Sequence, residues 1–412
     1  MGRKFARNYN IILSLILILL CSCVSTTKIV SVSAEELLWQ HSHLDTVKLH
    51  ICDKYKQAYT YIIKKADKIC TQPIVVVTDK EFAPDGGTFN DYYSLARYYW
   101  PDTTSINGLP YIARDGFSNP EVEKYDRRRL SKLAKNLRIL SLAWYLSNEN
   151  KYANMAVTQV KAFFIDENTR MNPNLKFAQV KKGISNWGSA AGLIDGHSFI
   201  DLLDALIIIE KYEGFSTKDK VALKNWFENY YYWLTHSVSG YKASMMNNNH
   251  SIVYDTQLLA ISSYLGYVED SYSLIRSFYD KRISKQISKD GSQPNELKRV
   301  NSFDYSCYNI HHIIEFLTIA KGQGIPLAYF DQDLEKRLQK AIDFVLPFIL
   351  EKNNSTWNYS QSNSDENFKK ILLKDIYLFS TFLGCENSSK YLTIYYNNYI
   401  NDIKDEFFLL WL

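Results

Sequence analysis

Glycine and proline are scarce in this sequence: 16 and 9 residues among 412, against 31 tyrosines and 21 phenylalanines. A loop-rich all-β domain needs more of both to make its turns, so that class is disfavoured. An excess of charge of one sign is missing as well. Lys+Arg 48 less Asp+Glu 44 gives +4, and setting aside Arg3, Lys4 and Arg7 of the basic start leaves +1. No global field gathers a polyanion, so any acidic partner must be held by a local cluster. The lack of a basic-aromatic motif makes nucleic acid a poor candidate partner. Cysteines number 6 and show neither CxxC spacing nor a histidine at ligand distance, so no metal site, cofactor or redox motif is expected. Disorder is excluded by the hydrophobic fraction of 46% against 22% charged residues.

The chain opens with a basic segment and the apolar stretch Ile11 to Leu20, interrupted only by Ser14. That stretch is too short to span a bilayer and fits the apolar core of an export signal. Leu20-Cys21-Ser22-Cys23 resembles a bacterial lipobox, which makes Cys23 the expected lipidated first mature residue; cleavage after Val32-Ser33-Ala34 is the alternative. The expected organisation is a lipoprotein signal peptide over 1–22, a linker over 23–33 and one domain over 34–412. The protein is then exported and lipid-anchored at a bacterial membrane, periplasmic or at the cell surface, with the anchor as its one membrane contact. Of the remaining cysteines, Cys52 and Cys70 can pair in an oxidising compartment, but Cys52, Cys70, Cys307 and Cys385 read better as buried thiols.

From Ala34 to Cys70, Leu44, Val47, Ile51, Tyr55, Tyr59 and Ile62 recur at helical spacing. Similar patterns cover about 127–148, 152–165, 195–212, 217–236, 252–266, 269–288, 305–321, 331–350, 367–383 and 387–401, joined by short turns such as Glu213-Gly214-Phe215-Ser216. Ser216 followed by Asp219 predicts an N-cap. The best strand candidate is Pro73 to Val77. Helical hairpins without a strict repeat predict an all-α incomplete α/α toroid, a barrel of hairpins with long loops, in preference to a solenoid.

Polar and aromatic residues concentrate in four interruptions of the helical pattern: Asp85 to Tyr125, Lys181 to His197, Ser239 to Tyr254 and Asp290 to Tyr308. Loops at helix ends commonly carry function. Asn247-Asn248-Asn249-His250 heads an apolar helix. One N-cap needs one Asn, for which Asn249 is suited, and the surplus amides with an imidazole suit an anionic ligand at a helix N-terminus. The run Asp290-Gly291-Ser292-Gln293-Pro294-Asn295-Glu296-Leu297-Lys298-Arg299 then leads to Ser302-Phe303-Asp304-Tyr305-Ser306-Cys307-Tyr308.

These two runs resemble the alginate lyase family of polysaccharide lyases. Asp91 to Ser94, Tyr99 to Asp102, Gly108 to Tyr111, Arg114-Asp115-Gly116 with Asn119-Pro120, and Asn186-Trp187-Gly188 resemble it in the same order, across roughly residues 80–350. Ser251 stands where relatives often have Gly, and Asp304 where many have His. The resemblance implies cleavage of a β-1,4-linked uronic acid polymer (alginate, polymannuronate or glucuronan) by β-elimination, leaving unsaturated uronate ends.

That chemistry makes its own demands. The C5 proton lies beside an ionised carboxylate that resists enolisation, so donors such as Asn249, with Arg299 or Gln293, must stabilise the charge that develops there. A base must reach C5 and an acid must reach O4. In mannuronate and glucuronate both lie on one side, so one tyrosine can serve both. The resemblance implies Tyr305 for that role, His250 as base, partner or charge stabiliser, and Arg299 as the cation that favours tyrosinate. Tyr92, Tyr93, Trp100 and Trp187 offer rings for sugars and Arg114 a carboxylate clamp, while Asn248, Tyr254, Gln293 and Glu296 complete the candidate substrate-binding set. His197 reads as a core or capping residue outside the site.

Two other readings compete with the lyase. A hydrolase on the same toroid needs two facing carboxylates, for which Asp91, Asp115 and Glu296 are available. A non-catalytic glycan-binding lipoprotein would keep the aromatics without needing the Asn-His, Arg and Tyr set.

Overall fold

Helix α6 (Thr217–His236) shows how the sequence sets its own boundaries. The Ser216 hydroxyl accepts from the Asp219 amide at 3.1 Å and caps the first turn, and Leu223, Trp226, Phe227, Tyr230 and Leu234 bury one face. The computed structural model describes residues 36–325, 329–330, 332–349, 357–361, 366–384, 393 and 409–410, which belong to one compact unit, Ser33–Leu412. The expected signal peptide, Cys23, Cys385 and almost all of the helix expected over 387–401 lie outside the described residues. No helix among the described residues is long and apolar enough to cross a membrane.

The fold is an all-α incomplete toroid of helical hairpins. Helices α1 (His41–Leu49) and α2 (Lys56–Cys70) precede α3 (Asp126–Ser147) and α4 (Asn150–Val160); α5 (His197–Ile209), α6, α7 (Val238–Ser244), α8 (Asn249–Leu265) and α9 (Val268–Phe278) follow. The short α10 (Pro294–Leu297) leads to α11 (Ser302–Gly322), α12 (Gln332–Ile349) and α13 (Glu366–Tyr377). Helices α3, α5, α8, α11 and α13 pack side by side in that order as an inner layer. Outside them, α2 and α4 lie on α3, α6 and α9 on α8, and α12 on α11.

Composition explains this division. Helices α5 and α8 are buried nearly all round, from Phe199 to Ile209 and from Ile252 to Tyr264, because neighbours flank them on every side. The outer α9 and α12 keep one apolar face and one charged face. Some polar groups of the inner layer are firmly paired. Arg282 clasps Asp255 through two bonds of 2.7 and 2.9 Å, and Gln257 donates to the Leu193 carbonyl at 2.9 Å.

Several sequence expectations need correction. The pattern over 34–70 resolves into α1 and α2, not one helix. Pro73 to Val77 forms no strand; Val77 is buried and opens a 3-10 turn, Val77–Asp79. The helix expected over 269–288 loosens into a wide turn at Tyr279–Ile283. Asn248, not Asn249, caps α8: its Oδ1 accepts from the His250 amide at 3.2 Å. Cys52, Cys70 and Cys307 are free thiols; Cys307 alone of the three is buried, and Cys52 is exposed.

The strands lie in the polar loops. β1 (Tyr93–Leu95) pairs in parallel with β4 (Phe177–Val180), and β2 (Tyr99–Trp100) pairs antiparallel with β3 (Ile112–Ala113). The β1–β4 register shifts by a residue at Gln179, which takes a left-handed φ of +53°, a costly conformation outside glycine. These pairings fold the 85–125 and 177–197 segments over the open ends of the inner helices.

Candidate active site

All five inner helices contribute the residues at or near their N-termini to one cavity of about 480 Å³. Arg127 comes from α3, His197 from α5, Asn249 and His250 from α8, Asp304, Tyr305 and Tyr308 from α11, and Phe368 from α13. The folded-over loops add Arg97, Tyr98, Tyr99, Gln179 and Lys181, and the segment before α11 adds Arg299 and Asn301. Helix N-termini carry partial positive charge and free amides. With Arg97, Arg127, Lys181 and Arg299 on the same wall, the cavity suits an anion.

At its centre, Arg299 meets Asp115 through Nε at 3.1 Å and Nη2 at 2.5 Å. The same Nη2 lies 2.9 Å from the Tyr305 hydroxyl, and the guanidinium sits 3.8 Å from the Tyr305 ring centre. Tyr305 donates onward to the Tyr98 hydroxyl at 2.5 Å. Asp115 reaches this place because Gly116 turns at φ +82° against Val300, where a Cβ would lie 2.8 Å from Val300 Cγ1. The Val300 amide completes the clamp, donating to Asp115 at 3.2 Å.

The electrostatics separate the titrating groups. Hydrogen bonding from Arg299 holds the Asp115 carboxyl below its ordinary value. Burial works against the charge on Arg299, yet the Asp115 bond keeps its pKa raised. Burial and Tyr98 push the Tyr305 phenol up while Arg299 pulls it down, so the resting group keeps its proton. Burial first and Arg299 second push His250 down to about 4, so its imidazole is neutral at pH 7. Its ring bonds the Ala191 backbone, and its Nδ1 has no partner among the described residues. Here a protonated phenol, a neutral imidazole and a fixed cation line one cavity, the components of proton transfer with charge stabilisation.

Asn249 borders the same cavity and is fully buried. Its backbone amide and its Nδ2 each donate to Glu296, both at 2.7 Å. Glu296 is itself buried, which pushes its carboxyl up to about 7, and both its oxygens are taken by Asn249. Gln293 is likewise internal, donating to the Ser306 carbonyl at 3.1 Å and accepting from Asn309 at 2.9 Å.

The structure therefore brings Asn249, His250, Arg299 and Tyr305 together, while none of the proposed substrate-binding residues lines the cavity. Tyr92 is buried and donates to Asp195 at 3.1 Å. Tyr93 packs edge-on to Tyr125, 5.0 Å between ring centres, and Tyr254 donates to the Leu234 carbonyl at 3.0 Å. Trp100 donates to the Phe117 carbonyl at 2.9 Å, with Arg114 stacked 5.7 Å from its ring. Trp187 is 58% exposed and lies flat on Phe177 at 5.2 Å. The Asn186-Trp187-Gly188 motif answers a packing need, because a Cβ on Gly188 would strike the Ala178 backbone at 2.4 Å. Asn248 serves as the cap.

Several cavity residues escape sequence reasoning. His197, assigned there to the core, lines the cavity. Tyr98 and Arg97 sit beside the quoted Tyr99-Trp100, and Arg127 opens the run Arg127-Arg128-Arg129; each had a nearby signal but no motif of its own. Below Tyr308, the rings of Tyr308 and His312 meet edge-on at 4.4 Å. His312 pairs with Glu315, and His311 reaches Glu315 at 3.4 Å and Asp375 at 2.9 Å. The ligand atoms of His311, His312 and Glu315 lie within 4.8 Å of one another, a grouping that the absence of CxxC spacing had hidden.

Comparison with known proteins agrees with this geometry. Residues 76–357 match the alginate lyase family model. The structure resembles that of an alginate lyase from Bacteroides ovatus, with 30% identity, a TM-score of 0.86, and coverage of 92% of this chain and 100% of that one. It also shares its fold with a variant of alginate lyase A1-III complexed with a tetrasaccharide: 15% identity, TM-score 0.55, coverage 87% and 92%. A comparison with curated proteins gives no sequence match.

Proposed function

Since the chain belongs to the alginate lyase family of polysaccharide lyases, we propose that its substrate is a β-1,4-linked polymer of mannuronate or glucuronate, cleaved by syn β-elimination at Tyr305. The observation that carries this reading is the Asp115–Arg299–Tyr305 clamp, which shares with the Asn249–His250 pair a cavity lined by Arg97, Arg127, Lys181 and Arg299.

The substrate carboxylate lies against Asn249 and the inner-helix N-termini, where fixed donors stabilise the charge that grows as C5 loses its proton. Tyr305 takes that proton as tyrosinate, which Arg299 stabilises, and returns it to O4 as the C4–O bond breaks and the C4=C5 double bond forms. Neutral His250, through its unpartnered Nδ1, is the group able to hold the phenolic proton while Tyr305 acts as base. The carboxylates weighed for a hydrolase are committed elsewhere: Asp91 to Thr88 and Asn172, Asp115 to Arg299, and Glu296 to Asn249. We also propose that Cys23 anchors the protein by lipid at a bacterial membrane, with the catalytic domain exported.

A panel of polymannuronate, polyguluronate and glucuronan, followed by the ultraviolet absorbance of the unsaturated product, tests the reading. Turnover of mannuronan or glucuronan without solvent oxygen in the product is expected. Saturated products carrying labelled oxygen from water would replace elimination by hydrolysis.

A further inference from the structure

Asn249 presents a contradiction when its amide is taken as placed. Nδ2 donates to Glu296, which leaves Oδ1 fully buried with no partner among the described residues, in a residue that borders a cavity otherwise suited to an anion. A buried amide oxygen without a donor is costly, and an oxygen facing a substrate carboxylate repels it. The oxygen and nitrogen of an amide have nearly the same shape, so the orientation is decided by the hydrogen-bond network.

The network has a second solution. A neutral Glu296 carboxyl has one acceptor oxygen and one O–H donor. Its acceptor takes the Asn249 backbone amide, which lies 2.7 Å from Oε1. Its O–H, on Oε2, then donates across the other 2.7 Å contact to an amide turned so that Oδ1 faces Glu296. The Glu296 O–H and Asn249 Oδ1 then satisfy each other, and both N–H donors of Asn249 turn to the position the orphan oxygen had occupied, where a bound carboxylate supplies their acceptor.

We infer that Glu296 is a positioning residue whose carboxyl proton turns the Asn249 amide so that its two N–H groups face the uronate carboxylate. The inference rests on the lyase reading for the identity of the anion, while the Glu296 proton is a property of the free protein. The surroundings favour the neutral form: Glu296 is 2% exposed, and burial brings its pKa to about 7. Among charged groups, Arg299 on the following segment acts in the opposite sense and favours ionisation. On the packed elements, α8 presents the Asn249 amide and the neutral His250, and α11 carries Asp304 and Tyr305 in its first turn. An arriving substrate carboxylate adds negative charge and strengthens the preference for protonated Glu296.

The test compares Glu296→Gln and Glu296→Ala with the wild-type full chain. Gln reproduces the neutral carboxyl, with a carbonyl for the Asn249 backbone amide and an N–H for Oδ1, but cannot ionise. The ratio of Glu296→Gln to wild-type kcat/KM should rise by about tenfold or more between pH 6 and pH 8.5, because about 1.5 units above its pKa only ~3% of wild type keeps the proton. Glu296→Ala should lose activity across that range and show no such rise. A flat ratio, or equal losses in Gln and Ala, would overturn the inference. Infrared difference spectra on the free protein separate it from the functional reading: a protonated-carboxyl stretch that titrates near pH 7 and vanishes in Glu296→Gln is expected whatever the substrate, and a Glu296 band already lost by pH 5 would refute the inference. Such a band in a protein that releases no unsaturated product would instead leave the proton in place and sink the lyase assignment.

Discussion

Replacing Tyr305 by Phe removes one oxygen atom and leaves the ring in its packing. The hydroxyl makes two contacts, to Arg299 at 2.9 Å and to Tyr98 at 2.5 Å. At ~0.5–1.5 kcal/mol for each hydrogen bond, the folded state should lose about 1–3 kcal/mol, which a stable domain survives. The effect on rate is of another size. Both proton transfers lose their agent, each typically worth ~10²–10⁴-fold, so a fall of at least ~10³-fold is expected, equivalent to about 4 kcal/mol of transition-state stabilisation. Binding of a uronate oligomer should change little, because Arg299 stays clasped by Asp115 and the cationic wall is intact. The assay is initial rate by ultraviolet absorbance, paired with an equilibrium titration of the oligomer. Tyr98→Phe is the control: it removes the partner of Tyr305 while keeping the phenol, and should cost at most about tenfold. If Tyr305→Phe keeps more than about a tenth of wild-type turnover, the acid/base assignment fails and His250 becomes the next residue to test.

Trp187→Ala should leave oligomer affinity within about threefold and cost ~0.5–1.5 kcal/mol in chemical denaturation, since its ring stacks on Phe177 outside the cavity; a large loss of affinity would return it to the site. The ion network of α11 predicts a pH dependence of stability: Asp375 and Glu315 outweigh burial and raise His311 to about 10, above its unfolded value, so its contribution is full below about pH 6.5 and is lost as pH climbs through 10. The melting temperature of wild type should therefore fall more steeply between pH 7 and 10 than that of His311→Gln, and parallel curves would contradict this. Cys23→Ala should move the protein from the membrane to the soluble fraction; a wild type already soluble and beginning near Glu35 would refute lipid attachment.

What the sequence made legible was whatever is local. The spacing over 217–236 and the Ser216 cap placed α6 with the bounds it has, because an amphipathic helix writes its period into the chain. The Asn-His and Arg-Tyr pairs were legible because each lies within one short run beside a helix start. Burial was not legible. Tyr92 and Trp100 are both aromatics in one polar loop, yet Tyr92 is sealed against Asp195 and Trp100 is half-exposed, a difference set by how the loop closes on α3 and α5. Pro73 to Val77 has β-branched residues but no partner strand, while the strands that do form, β1 and β4, are short and pair across more than 80 residues of chain. Glu296 looked like a loop carboxylate open to substrate and is instead sealed beneath Asn249. Tyr98, Arg127, Lys181 and His197 are spread over 100 positions of the chain, and only the fold brings them to one cavity.

The architecture also resolves how a chain of nearly balanced charge can handle a polyanion. Net charge acts over many ångströms and is screened within about 8 Å at physiological ionic strength, so a net charge of +4 over 412 residues would steer almost nothing. The inner layer instead runs all five of its helices with their N-termini toward one cavity, each end contributing roughly half a positive charge and free amides. Around them stand Arg97, Arg127, Lys181 and Arg299, while two nearby carboxylates are placed to bind cations: Asp115 clasps Arg299, and Asp195 lies 3.8 Å from Arg127. Those pairs hold the guanidinium groups in place and trim their charge, so the attraction is concentrated on the donors that remain. Attraction built this way acts at contact distance, on an anionic group that enters the cavity. It is also the arrangement in which a single proton on Glu296 counts, because turning one amide exchanges an oxygen for two donors at the place where the enolate charge must develop.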